Sequence, residues 1–328
     1  MNASANLVMT AVFGLAAASL PFAAAADSAP FPSKPIHIIV PYVPGGTTDV
    51  LARIVGKELS TRLGQTVIVD NKPGANGMIG ADYVAKAEPD GYTLGIASPG
   101  THAANASLYK NISYDTLKDF TPITLAVTAP MILVANPSLG ARNVKDVIAA
   151  ARRDPGGISY ASGGSGSSQH LAMEQFMHMA GIQMTHVPYK GSSNSYADLL
   201  GGRVKLEFDV LPTALPQVRA GKLLALATAS STRLPQLPDV PTVAESGVPG
   251  YEATSWYGFV GPARMPKEVL DKLNGEIVRA LKLPEVNDTL TKAGVIVVAS
   301  TPEQFGAHIR SETEKARKII EEAGIKPD

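Results

Sequence analysis

The sequence predicts an α/β fold of two lobes, each a mainly parallel sheet flanked by helices. Short β-branched runs alternate along the chain with stretches whose apolar residues recur at helical spacing, which is typical of parallel sheets covered by helices. The length of 328 residues is enough for about two domains. Two proline-rich stretches, 121–137 and 234–249, indicate where the chain passes from one lobe to the other and back.

The strands and helices can be assigned in order along the chain. Strands are predicted at 36–40, 67–69, 93–97, 185–187, 204–210, 223–228, 257–260 and 295–298. Apolar residues follow helical spacing over 50–59, 173–180 and 269–281, and a charged helix covers 313–322. The two crossings then place residues 27–127 together with 250–328 in the first lobe, and residues 128–249 in the second.

The composition excludes several classes of function. Hydrophobic residues make up 45% of the chain and charged residues 18%, which allows a sizeable core and argues against disorder. Lys+Arg and Asp+Glu both number 29, so the chain has no excess positive charge with which to bind nucleic acid. Cysteine is absent, which excludes disulfides, thiolate catalysis and cysteine-bound metal.

The N-terminus has the pattern of a secretory signal peptide. Residues 7–20 are almost wholly apolar, and Ala24 and Ala26 form an A-x-A pattern before Asp27, so we expect cleavage near Ala26. An N-terminal membrane anchor is the alternative, although the alanine content makes a poor spanning helix. Residues 1–26 are therefore predicted to be removed on export.

The first loop that could bind a ligand covers residues 41–49, PYVPGGTTD, between a predicted strand and a helix. Gly45 and Gly46 allow a tight turn, and Thr47 or Thr48 suits the helix N-cap. The first N–H groups of a helix have no partner within it, and the helix dipole is positive there. The loop is thus a candidate cradle for a carboxylate or phosphate, and an ordinary capped turn is the alternative.

A second loop of the same kind covers residues 162–170, SGGSGSSQH, and again precedes a helix. Its glycines and serines supply many hydrogen-bond donors, although a flexible linker has a similar composition. A structural role for His170 is as plausible as a ligand contact. One such loop in each lobe predicts an anion held between two helix starts, in a cleft that closes.

Three further places could contribute to the site. Ser98 and His102 follow the strand at 93–97, at the carboxyl end where open α/β sheets bind ligands. A third polar loop, residues 189–195, begins with Tyr189. Asp209 ends a predicted strand, where it either caps the next turn or faces the cleft.

Enzyme signatures are missing from the sequence. A nucleophile elbow would need glycine at position 167, where Ser167 stands. No complete dinucleotide or phosphate-binding glycine motif occurs, and His170, His178 and His186 do not have metal-ligand spacing on a helix. We therefore expect no catalytic residue, no metal and no cofactor.

Long stretches of the chain resemble the Bug, or TctC-type, extracytoplasmic solute receptors, which are the binding subunits of tripartite tricarboxylate transporters. The resemblance is carried by FPSKPIHIIVPYVPGGTTDVLAR at 31–53, LGQTVIVDNKPGANGMIGA at 63–81, PDGYTLGI at 89–96 and SYASGGSGSSQHLAMEQF at 159–176. It implies a two-lobed periplasmic binding protein of the type II-like class, with the ligand in the cleft between the lobes.

The resemblance also implies which residues bind the ligand. One carboxylate is expected to contact main-chain N–H groups and small hydroxyls of the two loops, often through ordered water. The matching positions here are Tyr42, Gly46, Thr47, Thr48 and Asp49 in the first loop and Ser165, Gly166, Ser167, Ser168 and His170 in the second, with Ser98, His102, Tyr189 and Asp209 as further contacts.

The expected function is that of a monomeric periplasmic receptor that delivers a small organic carboxylate to the membrane permease subunits of such a transporter. A receptor that docks on a membrane sensor domain, and a secreted hydrolase using a serine of the 162–168 loop, are the alternatives. Tyr42 and Trp256 favour a ligand with a flat apolar part.

Overall fold

The computed structural model describes residues 30–326. The predicted signal peptide, residues 1–26, lies outside the described residues. Over 30–326 none of the helices combines the length and the apolar character needed to cross a membrane.

Ten strands form the sheets of the described chain, and most of them lie where the sequence predicts them. Their bounds are β1 Ile36–Val40, β2 Val67–Asn71, β3 Thr93–Ala97, β4 Phe120–Ala135, β5 Ser159–Ser162, β6 Thr185–Pro188, β7 Leu206–Val210, β8 Leu224–Thr228, β9 Thr254–Pro262 and β10 Ile296–Val297.

Helices connect and cover these strands. The α-helices are α1 Thr47–Leu63, α2 Met78–Ala85, α3 Asn105–Leu108, α4 Val144–Arg153, α5 Ser168–Ala180, α6 Tyr196–Leu200, α7 Leu211–Arg219, α8 Lys267–Lys282, α9 Pro284–Ala293 and α10 Pro302–Ala323. A π-helix, Gly100–Ala104, follows β3 and leads into α3.

The strands form two sheets that share the long strand β4. The strand order is β2-β1-β3-β9-β4-β7-β5-β6, with β10 and β8 also paired to β4. From Phe120 to Pro130, β4 pairs with β9 in the first sheet, and from Met131 onwards it pairs with β7 and β8 in the second. The chain therefore passes between the two halves within one continuous strand.

The sheets are mixed, whereas the sequence predicted mainly parallel ones. β1 pairs in parallel with β2 and β3, and β5 pairs in parallel with β6 and β7. Every pairing that involves β4 or β9 is antiparallel. The difference arises because these two strands connect the halves in opposite directions, while each half keeps parallel strands joined by helices.

Packing of the core sets the direction of the two helices that begin at the predicted loops. Leu51 and Val55 of α1 are buried against Ile38 and Val40 of β1. On the other half, the ring of Phe176 in α5 contacts that of Phe208 in β7, with 5.9 Å between the ring centres. Because each helix follows a parallel strand directly, both helices begin at the carboxyl edge of their sheets.

Hereafter the first lobe means the elements on the first sheet and the second lobe those on the second sheet. The α/β class with a helix-covered sheet in each half is confirmed. The boundaries at 127/128 and 249/250 stay a prediction. The change of pairing partners along β4, between Pro130 and Met131, lies close to the first of them.

Candidate functional site

A cavity of about 50 Å³ lies where α1 and α5 begin. Because roughly 10–15 Å³ of such space holds one water molecule, the cavity accepts a group of a few heavy atoms. None of the residues that line it carries a charged side chain. Its walls are formed by Tyr42, Val43, Gly46, Thr47, Thr48, Ser98, Pro99, Gly100, Gly163, Ser167, Ser168, Gln169, Gly191, Ser192, Ser193, Val210 and Tyr257.

The loop before α1 is held from behind by Asp49. Gly45 has a φ of +89°, a conformation natural to glycine, and its N–H donates to Asp49 Oδ2 at 3.1 Å. Arg53 Nε and Asn71 Nδ2 donate to the same carboxylate at 3.0 Å each. Burial raises the pKa of Asp49, but these donors outweigh it and the pKa is lowered overall. The charged carboxylate thus keeps the loop in shape without entering the cavity.

The hydroxyl of Thr47 is the clearest sign of a ligand position on this wall. Its Oγ1 is buried and has no hydrogen-bond partner among the described residues. Thr47 is also the first residue of α1, after the N-cap Gly46, so its N–H has no carbonyl partner within the helix. A buried polar atom without a partner is costly, and an anion or a water molecule in the cavity would satisfy it.

Tyr42 and Ser98 form the adjoining part of the wall. Tyr42 Oη lies 2.9 Å from Ser98 Oγ, and Ser98 Oγ lies 3.1 Å from Thr101 Oγ1. Burial raises the pKa of Tyr42 to about 12, so the phenol stays protonated at neutral pH and can donate a hydrogen bond. This wall therefore presents neutral hydroxyl donors.

On the opposite wall, the loop before α5 is held by a side chain of the helix itself. Ser167 is the N-cap, and its hydroxyl accepts from the N–H of His170 at 3.3 Å. The N–H of Gly166 donates to His170 Nδ1 at 3.0 Å. Because Nδ1 accepts, the proton of a neutral His170 ring lies on Nε2, 3.5 Å from Glu174 Oε1. His170 thus supports the loop from within the helix. Ser168 and Gln169 are the first two residues of α5, so their N–H groups have no partners within the helix.

Two buried acids of β7 anchor this wall. Asp209 accepts from Gln169 Nε2 at 3.2 Å and from Tyr196 Oη at 2.7 Å, and Glu207 Oε2 accepts from Ser195 Oγ at 2.6 Å. Burial raises the pKa of both carboxyls, and repulsion from Asp209 raises that of Glu207 further. Asp209 accepts hydrogen bonds from more donors than Glu207 does, so it is the member of the pair that ionises more easily.

The structure brings together half of the residues that the family resemblance implied. The residues that line the cavity are Tyr42, Gly46, Thr47, Thr48, Ser98, Ser167 and Ser168. The residues that lie outside the lining are Asp49, His102, Ser165, Gly166, His170, Tyr189 and Asp209. Of this second group, His170 and Asp209 contact the lining residues Ser167 and Gln169. Asp49 holds Gly45, which precedes the lining residue Gly46.

The remaining members of that group have other partners. His102 is buried behind Ser98, with Nδ1 2.9 Å from Thr101 Oγ1 and its ring against Phe120, and burial lowers its pKa to about 3. Tyr189 Oη donates to Asp198 Oδ2 at 2.7 Å. Ser165 accepts a hydrogen bond from Tyr109 Oη at its carbonyl, 3.4 Å away. Gly166 donates its N–H to His170 Nδ1. Outside this group, Trp256, which favoured a flat apolar ligand in the sequence analysis, lies in the core and donates to Glu312.

Several lining residues escaped the sequence analysis. Gln169 stands beside Ser168 in the first turn of α5, and Ser192 and Ser193 belong to the polar loop from which only Tyr189 was chosen. The serines of that loop are the feature of the sequence that could have indicated Ser192 and Ser193 as lining residues. Tyr257 of β9 lines the cavity, whereas the preceding residue, Trp256, faces the core. Successive side chains of a strand point to opposite faces of the sheet.

The arrangement is suited to holding an anion without reacting with it. Two helix starts and several hydroxyl groups converge on one small space, and such groups bind a carboxylate through dipoles and hydrogen bonds. Within residues 30–326 no group of three His, Asp or Glu side chains could hold a metal ion.

Comparison with known proteins gives a consistent match. A family model described as tripartite tricarboxylate transporter family receptor (TctC) matches residues 51–325. Protein BugT of Bordetella pertussis is 36% identical over 319 residues, which is 97% of this chain and 98% of BugT.

Solved structures with bound carboxylates share the fold. Rpa4515 of R. palustris, solved with adipate, is 38% identical, with a TM-score of 0.88 over 91% of this chain and 100% of its own. MatC of Rhodopseudomonas palustris, solved with bound malate, is 31% identical, with a TM-score of 0.85 over 88% of this chain and 100% of its own. These matches confirm the predicted fold class.

Proposed function

Since this chain belongs to the tripartite tricarboxylate transporter receptor family, we propose that it captures a small organic carboxylate between its two lobes. The observation that carries the proposal is that Thr47 and Thr48 at the start of α1 line the same cavity as Ser167 and Ser168 at the start of α5. Receptors of this family bind solutes and are not enzymes, in agreement with the missing enzyme signatures.

The neutral lining supports recognition by dipoles. A carboxylate in this cavity gains charge-assisted hydrogen bonds from N–H and O–H groups, and no buried cation has to lose its hydration beforehand. The unpartnered hydroxyl of Thr47 supplies one such donor.

The size of the cavity supports a ligand that is held by one end. About 50 Å³ accepts a carboxylate group with an adjoining water molecule, so the rest of the ligand would lie beyond this space. Short dicarboxylates are the first candidates, because related receptors were solved with adipate and with malate.

The proposal extends to location and partners. The family is extracytoplasmic, so we propose that the chain acts in the periplasm after removal of residues 1–26. It acts there as a monomer that passes its carboxylate to the membrane permease subunits of a tripartite tricarboxylate transporter.

Thermal unfolding in the presence of carboxylates tests the proposal. Protein is first unfolded and refolded to remove any co-purified ligand, and native mass spectrometry verifies that it is empty. Adipate, malate and monocarboxylates are then compared with adipamide as the uncharged control. A ligand at a hundredfold excess over Kd stabilises the folded state by about 2.7 kcal/mol. We expect at least one carboxylate to raise the Tm and adipamide to leave it unchanged. If no carboxylate raises the Tm, the proposal is contradicted.

A further inference from the structure

A contact between the lobes lies beside the cavity but outside its lining. We call it the seam: Asn76, Asn105, Leu108 and Tyr109 of the first lobe against residues 164–166 of the second. A Cβ atom built on Gly166 would lie 2.8 Å from Leu108 Cδ2 and 2.9 Å from Asn76 Nδ2. Tyr109 Oη donates to the carbonyl of Ser165 at 3.4 Å. The loop that leads into α5 therefore rests on the first lobe at this point.

Asn76 has an unusual backbone for a residue with a side chain. Its φ is 47° and its ψ is 41°, the left-handed region that favours glycine, and its neighbour Ala75 also has a φ of 47°. Contacts with the surrounding structure are needed to hold a residue in such a conformation, and residues of this kind are found most often at functional sites. The turn places the amide of Asn76 at the seam.

The amide of Asn76 is tied to the wall of the cavity. Asn76 Nδ2 donates to Asn105 Oδ1 at 2.8 Å, and Asn105 Nδ2 donates back to the carbonyl of Asn76 at 3.2 Å. Asn105 Nδ2 also lies 3.4 Å from Tyr114 Oη, which donates to the carbonyl of Thr101 at 2.8 Å. Thr101 in turn contacts Ser98 in the cavity wall. A continuous set of hydrogen bonds thus joins the seam to the site.

The same amide lies between backbone segments of both lobes. A Cβ atom at Gly100, in the cavity wall, would lie 3.0 Å from Asn76 Nδ2 and 3.1 Å from Asn76 Oδ1. On the other side, Gly164 and Gly166 approach the same side chain. Asn76 Oδ1 is buried and has no hydrogen-bond partner among the described residues, so the side chain meets the second lobe by packing alone.

We propose that Asn76 is a positioning residue that sets how far the two lobes favour the closed arrangement, and thereby sets ligand affinity without touching the ligand. The inference rests on the proposed function. In a protein whose lobes separate and close, contacts made only in the closed form shift the population towards it, and the apparent affinity follows that population. Residues 164–166 meet Asn76 only when the lobes are together.

Asn76→Gly tests this directly and has a matched control. Glycine adopts the left-handed turn without strain, so the fold should survive while the amide is lost. Ala75→Gly makes the same backbone change at a φ of 47° on an exposed residue without an amide. Any difference between the two variants is therefore due to the side chain of Asn76.

The distance between the lobes can be measured with spin labels, because the native chain has no cysteine. Lys57→Cys on α1 and Lys145→Cys on α4, both exposed positions, carry the labels. Adipate and malate serve as probes, with binding measured by calorimetry. Loss of the packing contact between the Asn76 side chain and residues 164–166 predicts affinity weaker by about fivefold to tenfold in Asn76→Gly, together with a smaller closed fraction. Ala75→Gly should match the wild type in both measurements.

The outcomes separate this inference from the proposed function. If the wild type binds neither probe nor any other carboxylate, the proposed function fails, while the label distances of the two variants still compare closure. Equal distance distributions in Asn76→Gly and Ala75→Gly would overturn the role of Asn76, whatever the ligand.

A second variant approaches the seam from the other lobe. Gly166→Ala adds a methyl group towards Leu108 and Asn76 at a φ of +83°, which favours glycine, so it should reduce the closed fraction both by the clash and by strain in its loop. Because Asn76→Gly removes one of the groups that the methyl would meet, Gly166→Ala should have a smaller effect in that background than in the wild type. An equal effect in both backgrounds would contradict the proposed contact.

Discussion

At the scale of single residues, the candidate site binds with neutral groups. Hydroxyl and N–H donors of Tyr42, Thr47, Ser167 and their neighbours surround the cavity, while the charged Asp49 lies behind it. Such a wall attracts a negative group through oriented dipoles, and hydrogen bonds in a low-dielectric cavity are stronger than in water. The charged residues contribute by fixing the loops.

Gly46→Val tests the first wall. Gly46 has an ordinary φ of −81°, and a Cβ there would meet no atom within 4 Å, so the substitution should leave the fold intact. A side chain on this lining residue obstructs the approach of a ligand to the start of α1. Calorimetry with adipate or malate should show affinity weaker by at least about tenfold, which corresponds to ~1.4 kcal/mol.

The matched control is Gly275→Val on α8, another position with open space around a Cβ atom. It should bind like the wild type. If Gly46→Val keeps the wild-type affinity, the start of α1 is not part of the binding wall.

Sequence reasoning located the two loops but not the direction of each side chain. Successive residues of a helix point about 100° apart. Thr47 and Thr48 therefore line the cavity, while the carboxylate of the next residue, Asp49, turns back to the N–H of Gly45. His170 is likewise turned towards Gly166. Such orientations depend on tertiary contacts that no local pattern contains.

At the scale of elements, two side chains of strand β7 hold the wall of the cavity that is formed by the second lobe. Glu207 and Asp209 are two positions apart, so their side chains leave the strand on the same face. Each holds a different segment of the wall, because Asp209 binds Gln169 at the start of α5 and Glu207 binds Ser195 after the lining residues Ser192 and Ser193. Two buried acids on one face cannot both ionise without a penalty.

Glu207→Gln should change how stability depends on pH. The pKa of Glu207 is raised in the folded state, so its contribution to stability is present below its ordinary pKa and is lost as the pH rises through the raised value. Glutamine keeps an acceptor for Ser195 and cannot ionise. The Tm of Glu207→Gln relative to the wild type should therefore increase from about pH 4 to pH 8. Glu252→Gln removes a carboxyl from an exposed position outside the helices and serves as the control. A difference for Glu207→Gln that varies with pH no more than that of the control would contradict the raised pKa of Glu207.

Most strands were predicted from the sequence, but β4 was not, and neither were several helices, among them α4, α7 and α9. Strands such as β1 and β3 are short β-branched or apolar runs with turn residues around them, and they lie where the pattern predicts. β4 was interpreted as an extended crossing because it contains Pro122 and Pro130. Proline removes a ladder hydrogen bond, and the register of β4 with β9 shifts next to Pro122 to accommodate it.

At the scale of the whole molecule, β4 and β9 connect the two lobes and place the site between them. β4 changes partners from β9 to β7 between Pro130 and Met131, so a single strand belongs to both sheets. A few residues at such a junction can absorb the rotation of one lobe against the other. The sequence predicted two lobes from the proline-rich stretches at 121–137 and 234–249, of which the first contains most of β4 and the second ends before β9 begins. The two glycine-rich loops predicted an anion, and the resemblance to a family of receptors narrowed it to an organic carboxylate.

The central claim is that one carboxylate is bound by both helix starts at once. A crystal structure with the carboxylate that raises the Tm most tests it directly. We expect a carboxylate group within hydrogen-bond distance, directly or through one water molecule, of Thr47 or Thr48 and also of Ser167 or Ser168. A carboxylate that contacts only one of these segments, or that binds elsewhere on the protein, would contradict it.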